Sequence, residues 1–184
     1  MRKIIASVIF CLLFNLANAQ ITSTAMHIDD LKSAPFKFKG TRAMMVDRID
    51  DASSKNIFVF SKVPAGRNPD TLYAEKFTKM GDVWKLVQEQ TITHNGVISV
   101  WGARKGFTDA DKDKQVDAFF IYSFHDAGFK KQLSVHLLLF HKGESYTLSE
   151  TTEGKQSQSK NFASLPESIK TEILEYWNKL DKNN

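Results

Sequence analysis

From Pro35 onward the apolar residues recur at the short period of β-strands. Phe36-Lys37-Phe38-Lys39 alternates apolar and charged, which predicts a half-buried strand. Met44-Met45-Val46 continues in the same manner after Gly40. Ile57-Phe58-Val59-Phe60 and Ala118-Phe119-Phe120-Ile121-Tyr122 are unbroken apolar runs, as expected of strands covered on both faces. Further strands are predicted around Leu72–Phe77, Trp84–Gln90, Ile98–Ala103, Leu133–His141 and Ser145–Ser149. Pro64-Ala65-Gly66-Arg67-Asn68-Pro69 has loop chemistry, while Met80-Gly81-Asp82 and Lys142-Gly143-Glu144 supply turns. Residues 20–34 form a mixed polar lead-in. Glu150 to Lys160, with its run Lys155-Gln156-Ser157-Gln158-Ser159-Lys160, reads as a mobile loop.

At the C-terminus the period changes. Leu165, Ile169, Ile173, Trp177 and Leu180 recur every three or four residues and form one apolar stripe, predicting a helix over about 165–180. Ser164 and Glu167 have capping-box spacing, and Pro166 suits a first turn. Such a stripe docks on a sheet in most architectures. The two halves of the chain also overlay at a shift of about 62 residues, each with an acidic turn, an apolar strand and an aromatic-flanked hairpin. Generic hairpin grammar gives the same impression, so the repeat stays one of two options. The predicted fold is mainly β: an antiparallel meander, in sandwich or propeller-like sheets, with one C-terminal α-helix.

Residues 1–19 have the three parts of a cleaved signal peptide: Arg2 and Lys3, an apolar stretch from Ile4 to Leu16, and the A-x-A site Ala17-Asn18-Ala19. The apolar stretch is shorter than the roughly 20 residues of a membrane span. Cys11 follows Phe10, where a lipidation signal wants a small residue. The pattern resembles a Gram-negative bacterial signal and implies a periplasmic or secreted protein, with residues 20–184 as a single domain and no transmembrane span after cleavage. Of the 25 Lys and Arg, two leave with the signal, so the remainder carries 23 basic against 21 acidic residues, too near balance to argue for nucleic acid. The single cysteine leaves too, which excludes disulfides, thiolate nucleophiles and cysteine-ligated metals from the mature chain.

One chemical motif stands out. Asp109, Asp111, Asp113 and Asp117 occupy positions 1, 3, 5 and 9 of a D-x-D-x-D-x-x-x-D loop. Alternate carboxylates in a tight turn can face one centre, and hard oxygens in that number suit Ca2+. An acidic turn solvating the approach to an apolar strand needs no ion, and both readings stand. Here the sequence resembles the calcium loops of FG-GAP and integrin-like propeller repeats, written D-x-D-x-D-G-x-x-D. The sixth position, glycine in that family, is Lys114. The turn there favours positive φ, which a side chain disfavours by about 1 kcal/mol. Asp47, Asp50 and Asp51 match the loop less well. The stretch from Lys39 through Thr147, with Gly106-Phe107-Thr108-Asp109-Ala110-Asp111, also resembles a poorly characterised family of small exported bacterial proteins named for surface polysaccharide biosynthesis. That resemblance implies an envelope association and brings no catalytic residues.

The sequence offers few groups arranged for catalysis. His136 and His141 are five apart on one predicted strand and so face opposite sides. His125 beside Asp126 could form an acid–base pair, though sequence neighbours in loops are common. No nucleophile elbow, P-loop, zincin or dinucleotide fingerprint occurs. Trp84, Trp101 and Tyr146 read as core residues or as rings that stack on a sugar or a partner. The expectation is a non-enzymatic exported binding protein of the bacterial envelope, linked to surface polysaccharide and carrying a degenerate calcium loop, with a glycan or protein partner. The alternative is a periplasmic inhibitor or immunity-type protein that binds a toxin or enzyme.

Overall fold

A computed structural model describes residues 21–183; the expected signal peptide and Cys11 lie outside the described residues. The chain is mainly β, with two antiparallel five-stranded sheets and one C-terminal helix. The first sheet holds β1 (Thr22–Ala25), β2 (Arg42–Asp50), β3 (Lys55–Lys62), β4 (Asp70–Met80) and β5 (Val83–His94), in sequence order. The second holds β6 (Val97–Thr108), β7 (Asp117–His125), β8 (Gln132–His141), β9 (Glu144–Thr151) and β10 (Gln156–Gln158), again as a meander. Each half runs an acidic turn into a strand with an unbroken apolar stretch, Ile57–Phe60 in β3 and Ala118–Tyr122 in β7, and then a hairpin.

The apolar runs are explained by what covers each face. Phe58 and Phe60 of β3 and Ala118, Phe120 and Tyr122 of β7 meet between the sheets, with Leu72, Leu138 and Phe140. Their odd-numbered neighbours face outward onto other layers. Ile57 and Val59 pack under Leu31, Phe36 and Phe38 of the N-terminal segment. Phe119 and Ile121 pack with Leu137 and Leu139 under α1 (Glu167–Lys179), which lays Ile169, Ile173 and Trp177 on the second sheet. The sheets thus pack face to face as a sandwich, with a further cover on each side.

Four local expectations are corrected. Phe36–Lys39 is not a strand: its alternation serves a cover strip, in which Phe36 stacks on Phe77 at 4.2 Å and Lys39 reaches Glu89 at 2.6 Å. The polar lead-in contains β1 and a 3-10 helix, Ile28–Ser33, closed by reciprocal caps between His27 and Asp30. Glu150 to Lys160 is not a structureless loop, because Gln156–Gln158 pairs with Leu148–Glu150 as β10. The capping box at Ser164 does not form. Pro166 is the N-cap, and the Ser164 hydroxyl donates instead to the Asn161 carbonyl at 2.7 Å.

Candidate metal centre

The acidic loop joins β6 to β7, and its backbone takes the shape that the aspartate spacing demands. Lys112 and Lys114 adopt φ of 60° and 70°, so the sixth position is left-handed although it carries a side chain. Each such residue costs about 1 kcal/mol relative to the right-handed region. The Lys114 N–H donates to Asp109 Oδ2 at 3.1 Å, and the Gln115 N–H to Asp113 Oδ1 at 2.8 Å. Together these bonds fold the loop back on itself.

On Asp109, Asp111 and Asp117 a single oxygen is tied to the protein, and on Asp113 both are. Besides the two backbone bonds, Asp111 Oδ2 accepts from Lys142 Nζ at 2.7 Å, and Asp117 Oδ1 lies 2.6 Å from His141 Nδ1. The other oxygens of the first three, Asp109 Oδ1, Asp111 Oδ1 and Asp117 Oδ2, are buried without a hydrogen-bond partner. Lys142 Nζ does approach Asp113 Oδ2, at 3.0 Å, as an ion pair. One carboxylate oxygen from each of Asp109, Asp111 and Asp113 lies within 4.8 Å of the others. Asp117 stands outside that triad, held at the first residue of β7 directly opposite His141 on β8.

The electrostatics follow from this crowding. Burial, with the neighbouring Asp111 and Asp113 adding to it, pushes the Asp117 carboxyl up to about 6 despite its bond to His141. A raised carboxyl binds its proton in the folded state before the unfolded chain does. Stability from this group is therefore present at low pH and lost as pH rises through about 4 to about 6. Burial works against ionisation of Asp113 too, but the Gln115 N–H and Lys142 hold it below the usual carboxylate range. Lys142 is raised by its bonds to Asp111 and Asp113. Lys76, pushed down by burial, faces the same acids from β4.

The first half's acidic turn does different work. Asp47 pairs with Lys105 Nζ at 2.5 Å, bridging the two sheets, and Asp50 pairs with Arg48 at 2.9 Å. Asp51 accepts from Ser53, Ser54 and Asn56, and also from the Val116 N–H at 3.0 Å. Its carboxylate is thus a peg that fixes the end of the 109–117 loop from the opposite sheet. Sequence reasoning missed His141, Lys142 and Asp51 at this centre, since each arrives through pairing across strands or sheets.

The remaining candidates fall to structural roles. Trp101 donates its indole N–H to Ser123 Oγ at 2.8 Å, and Ser123 Oγ lies 2.9 Å from His125 Nε2. Ser123 is fully buried, so this serine–histidine pair packs the sheet. Asp126 does not pair with His125; it accepts the backbone N–H of Lys130 and Lys131. Trp101, Tyr146 and Trp177 are buried, which removes them as exposed stacking rings, and Trp84 packs near Phe36 at 6.1 Å.

His136 lies between the sheets, stacked on Tyr122 at 4.8 Å, beside Phe124 at 4.3 Å and bonded to Ser134 Oγ at 2.8 Å. Burial, with a smaller push from His94, lowers it to about 4. Between about pH 4 and 6.5 the unfolded chain binds a proton that folded His136 refuses, so stability falls on acidification. This contribution, on the order of 3 kcal/mol at most, runs opposite to that of Asp117. His136→Gln is expected to flatten the loss of urea stability between pH 6.5 and 4 relative to the unaltered protein; an unchanged slope would contradict the assignment.

No family model, curated protein or solved structure matches the chain. Among the described residues no helix is long and apolar enough to cross a membrane.

Proposed function

We propose that the protein is an exported, non-enzymatic binding protein of the bacterial envelope whose loop 109–117 takes a calcium ion. The observation that carries the calcium reading is the division within three carboxylates: one oxygen each of Asp109, Asp111 and Asp117 is held by the protein, and the other is buried without a hydrogen bond. Unpaired buried anionic oxygens are costly. A divalent cation offsets the repulsion among them and uses their free lone pairs. An all-oxygen donor set suits a hard ion, and calcium, with 6 to 8 ligands at roughly 2.3–2.6 Å, tolerates an irregular shell better than magnesium does. Asp109, Asp111 and Asp113 would be the primary ligands, with Asp117 closing the shell. The ion's work would be structural: it would fix the turn that joins β6 to β7 against the β8–β9 hairpin.

Export is supported by the tripartite pattern in residues 1–19, and the link to surface polysaccharide by the Gly106–Asp111 resemblance. The inhibitor or immunity-type reading draws on a different feature. Met80, Val83, Leu86 and Val87 are exposed around the β4–β5 turn and along β5, an edge strand of the first sheet. Apolar residues clustered on an edge suit a protein partner.

Calorimetric titration of the purified protein with calcium tests the site. One ion is expected to bind with a dissociation constant of about 10⁻⁴–10⁻³ M, weakened at least about tenfold by Asp113→Asn. Lys142→Gln is expected to tighten binding, because its ammonium competes for Asp111 and Asp113. Absence of saturable heat would leave the loop as a solvated acidic turn.

A further inference from the structure

A cavity of mixed apolar and charged lining lies at the other end of β3 and β7 from the acidic loop. The β3–β4, β5–β6 and β7–β8 loops, with the start of β2, enclose about 330 Å³ there. Its floor is a buried ion pair. Lys62 Nζ bonds Asp70 Oδ2 and donates to the Ile98 carbonyl at 2.7 Å, while the same Asp70 oxygen accepts the Ile98 N–H at 2.9 Å. This arrangement locks both side chains, and an ammonium with three donors keeps one proton uncommitted. The rim carries Arg42 and Arg67, both exposed, together with Asn68 and Asn95. Among the described residues, neither guanidinium has an ion-pair partner and neither side-chain amide makes a hydrogen bond.

We infer that this cavity binds an oxyanion, a carboxylate or a phosphate, carried on a molecule of about sugar size. Three cations against the single carboxylate of Asp70 give the lining a net positive charge. Two guanidinium forks present paired N–H donors in the geometry that planar or tetrahedral oxyanions accept. Neutral amides beside them add donors without adding charge. Val97 and Ala127 supply apolar contact for the body of the ligand. The volume lies at the lower end of the roughly 300–1,000 Å³ typical of small-molecule sites, so a polymer would be held by one terminal or side group. The site shares no residue with loop 109–117, and it stands or falls apart from the calcium reading.

Titration of the purified protein with glucose 6-phosphate, glucuronate and glucose, followed by backbone amide NMR shifts, tests the inference. Saturable shifts at Arg67, Asn95 and Gly96 are expected with one or both anions and not with glucose. The anion that binds distinguishes phosphate from carboxylate. Arg67→Gln and Arg42→Gln are each expected to weaken binding about tenfold with an unchanged melting temperature, and Arg67→Lys to recover only part of the loss. Equal binding of glucose, absence of saturable shifts with either anion, or full affinity in Arg67→Gln would overturn it.

Discussion

Replacing Asp70 by alanine is expected to destabilise the protein by about 3–5 kcal/mol, measured by urea unfolding at neutral pH. Lys62 and Asp70 have side chains 4% and 12% exposed, and the carboxylate is the ammonium's only anionic partner among the described residues. Alanine would leave a buried positive charge with one carbonyl, that of Ile98, as its protein ligand. It would also orphan the Ile98 N–H, which now donates to the same carboxylate. A buried pair need not stabilise the fold relative to apolar residues, but breaking it by one partner is severe. The double variant Lys62→Met, Asp70→Ala is therefore expected to recover the part of the loss that comes from the unpaired charge, while the Ile98 N–H stays without its partner. A single variant within about 1 kcal/mol of the parent would mean that water reaches Lys62.

Phe120→Ala is the second large effect, also about 3–5 kcal/mol. Phe120 is fully buried between the sheets and touches rings from both. Its centroid lies 4.5 Å from Phe60, 5.5 Å from Phe58, 5.8 Å from Phe107 and 6.3 Å from Phe140. Truncation removes one ring from a cluster held together by the others, so the space cannot collapse without moving a strand. Phe129, 55% exposed in the β7–β8 turn, is the matching control and is expected to tolerate alanine with little change. Comparable losses at both positions would contradict the layered core described above.

Much of this core was legible because strand faces leave a mark on sequence. Ile57–Phe60 and Ala118–Tyr122 are apolar at every position since both faces are covered, and the stripe through Ile169, Ile173 and Trp177 names the buried side of α1. The acidic loop was legible for a similar reason, as its members are close in sequence. What was illegible depends on register. His141 meets Asp117, and Lys142 meets Asp111, only once β7 and β8 are paired. Asp51 reaches Val116 across 65 positions of sequence. Short polar β10 carries no hydrophobic signal, and its pairing with β9 is made by backbone bonds that any side chain permits. The cavity lined by Arg42, Arg67 and Asn95 is likewise assembled from separate loops, none of which is unusual alone.

The charge balance at loop 109–117 ties the local chemistry to the whole fold. Without a divalent ion the loop relies on Lys142, which is half exposed, and on Lys76 of β4 to offset its carboxylates. With one, the free oxygens of Asp109 and Asp111, and the Asp113 oxygen that Lys142 now pairs, would turn from a source of repulsion into ligands. Protonation of Asp117 below about pH 6 should then compete with the ion.

The most direct measurement is the melting temperature of the purified protein in chelator, in calcium and in magnesium. Calcium at about 100 times its dissociation constant adds about 2.7 kcal/mol, which for a domain of this size is a rise of roughly 5–10 °C. That rise is expected with calcium, with little or none in magnesium, and none in Asp111→Asn, Asp113→Asn. A melting temperature unmoved by saturating calcium would contradict the calcium reading.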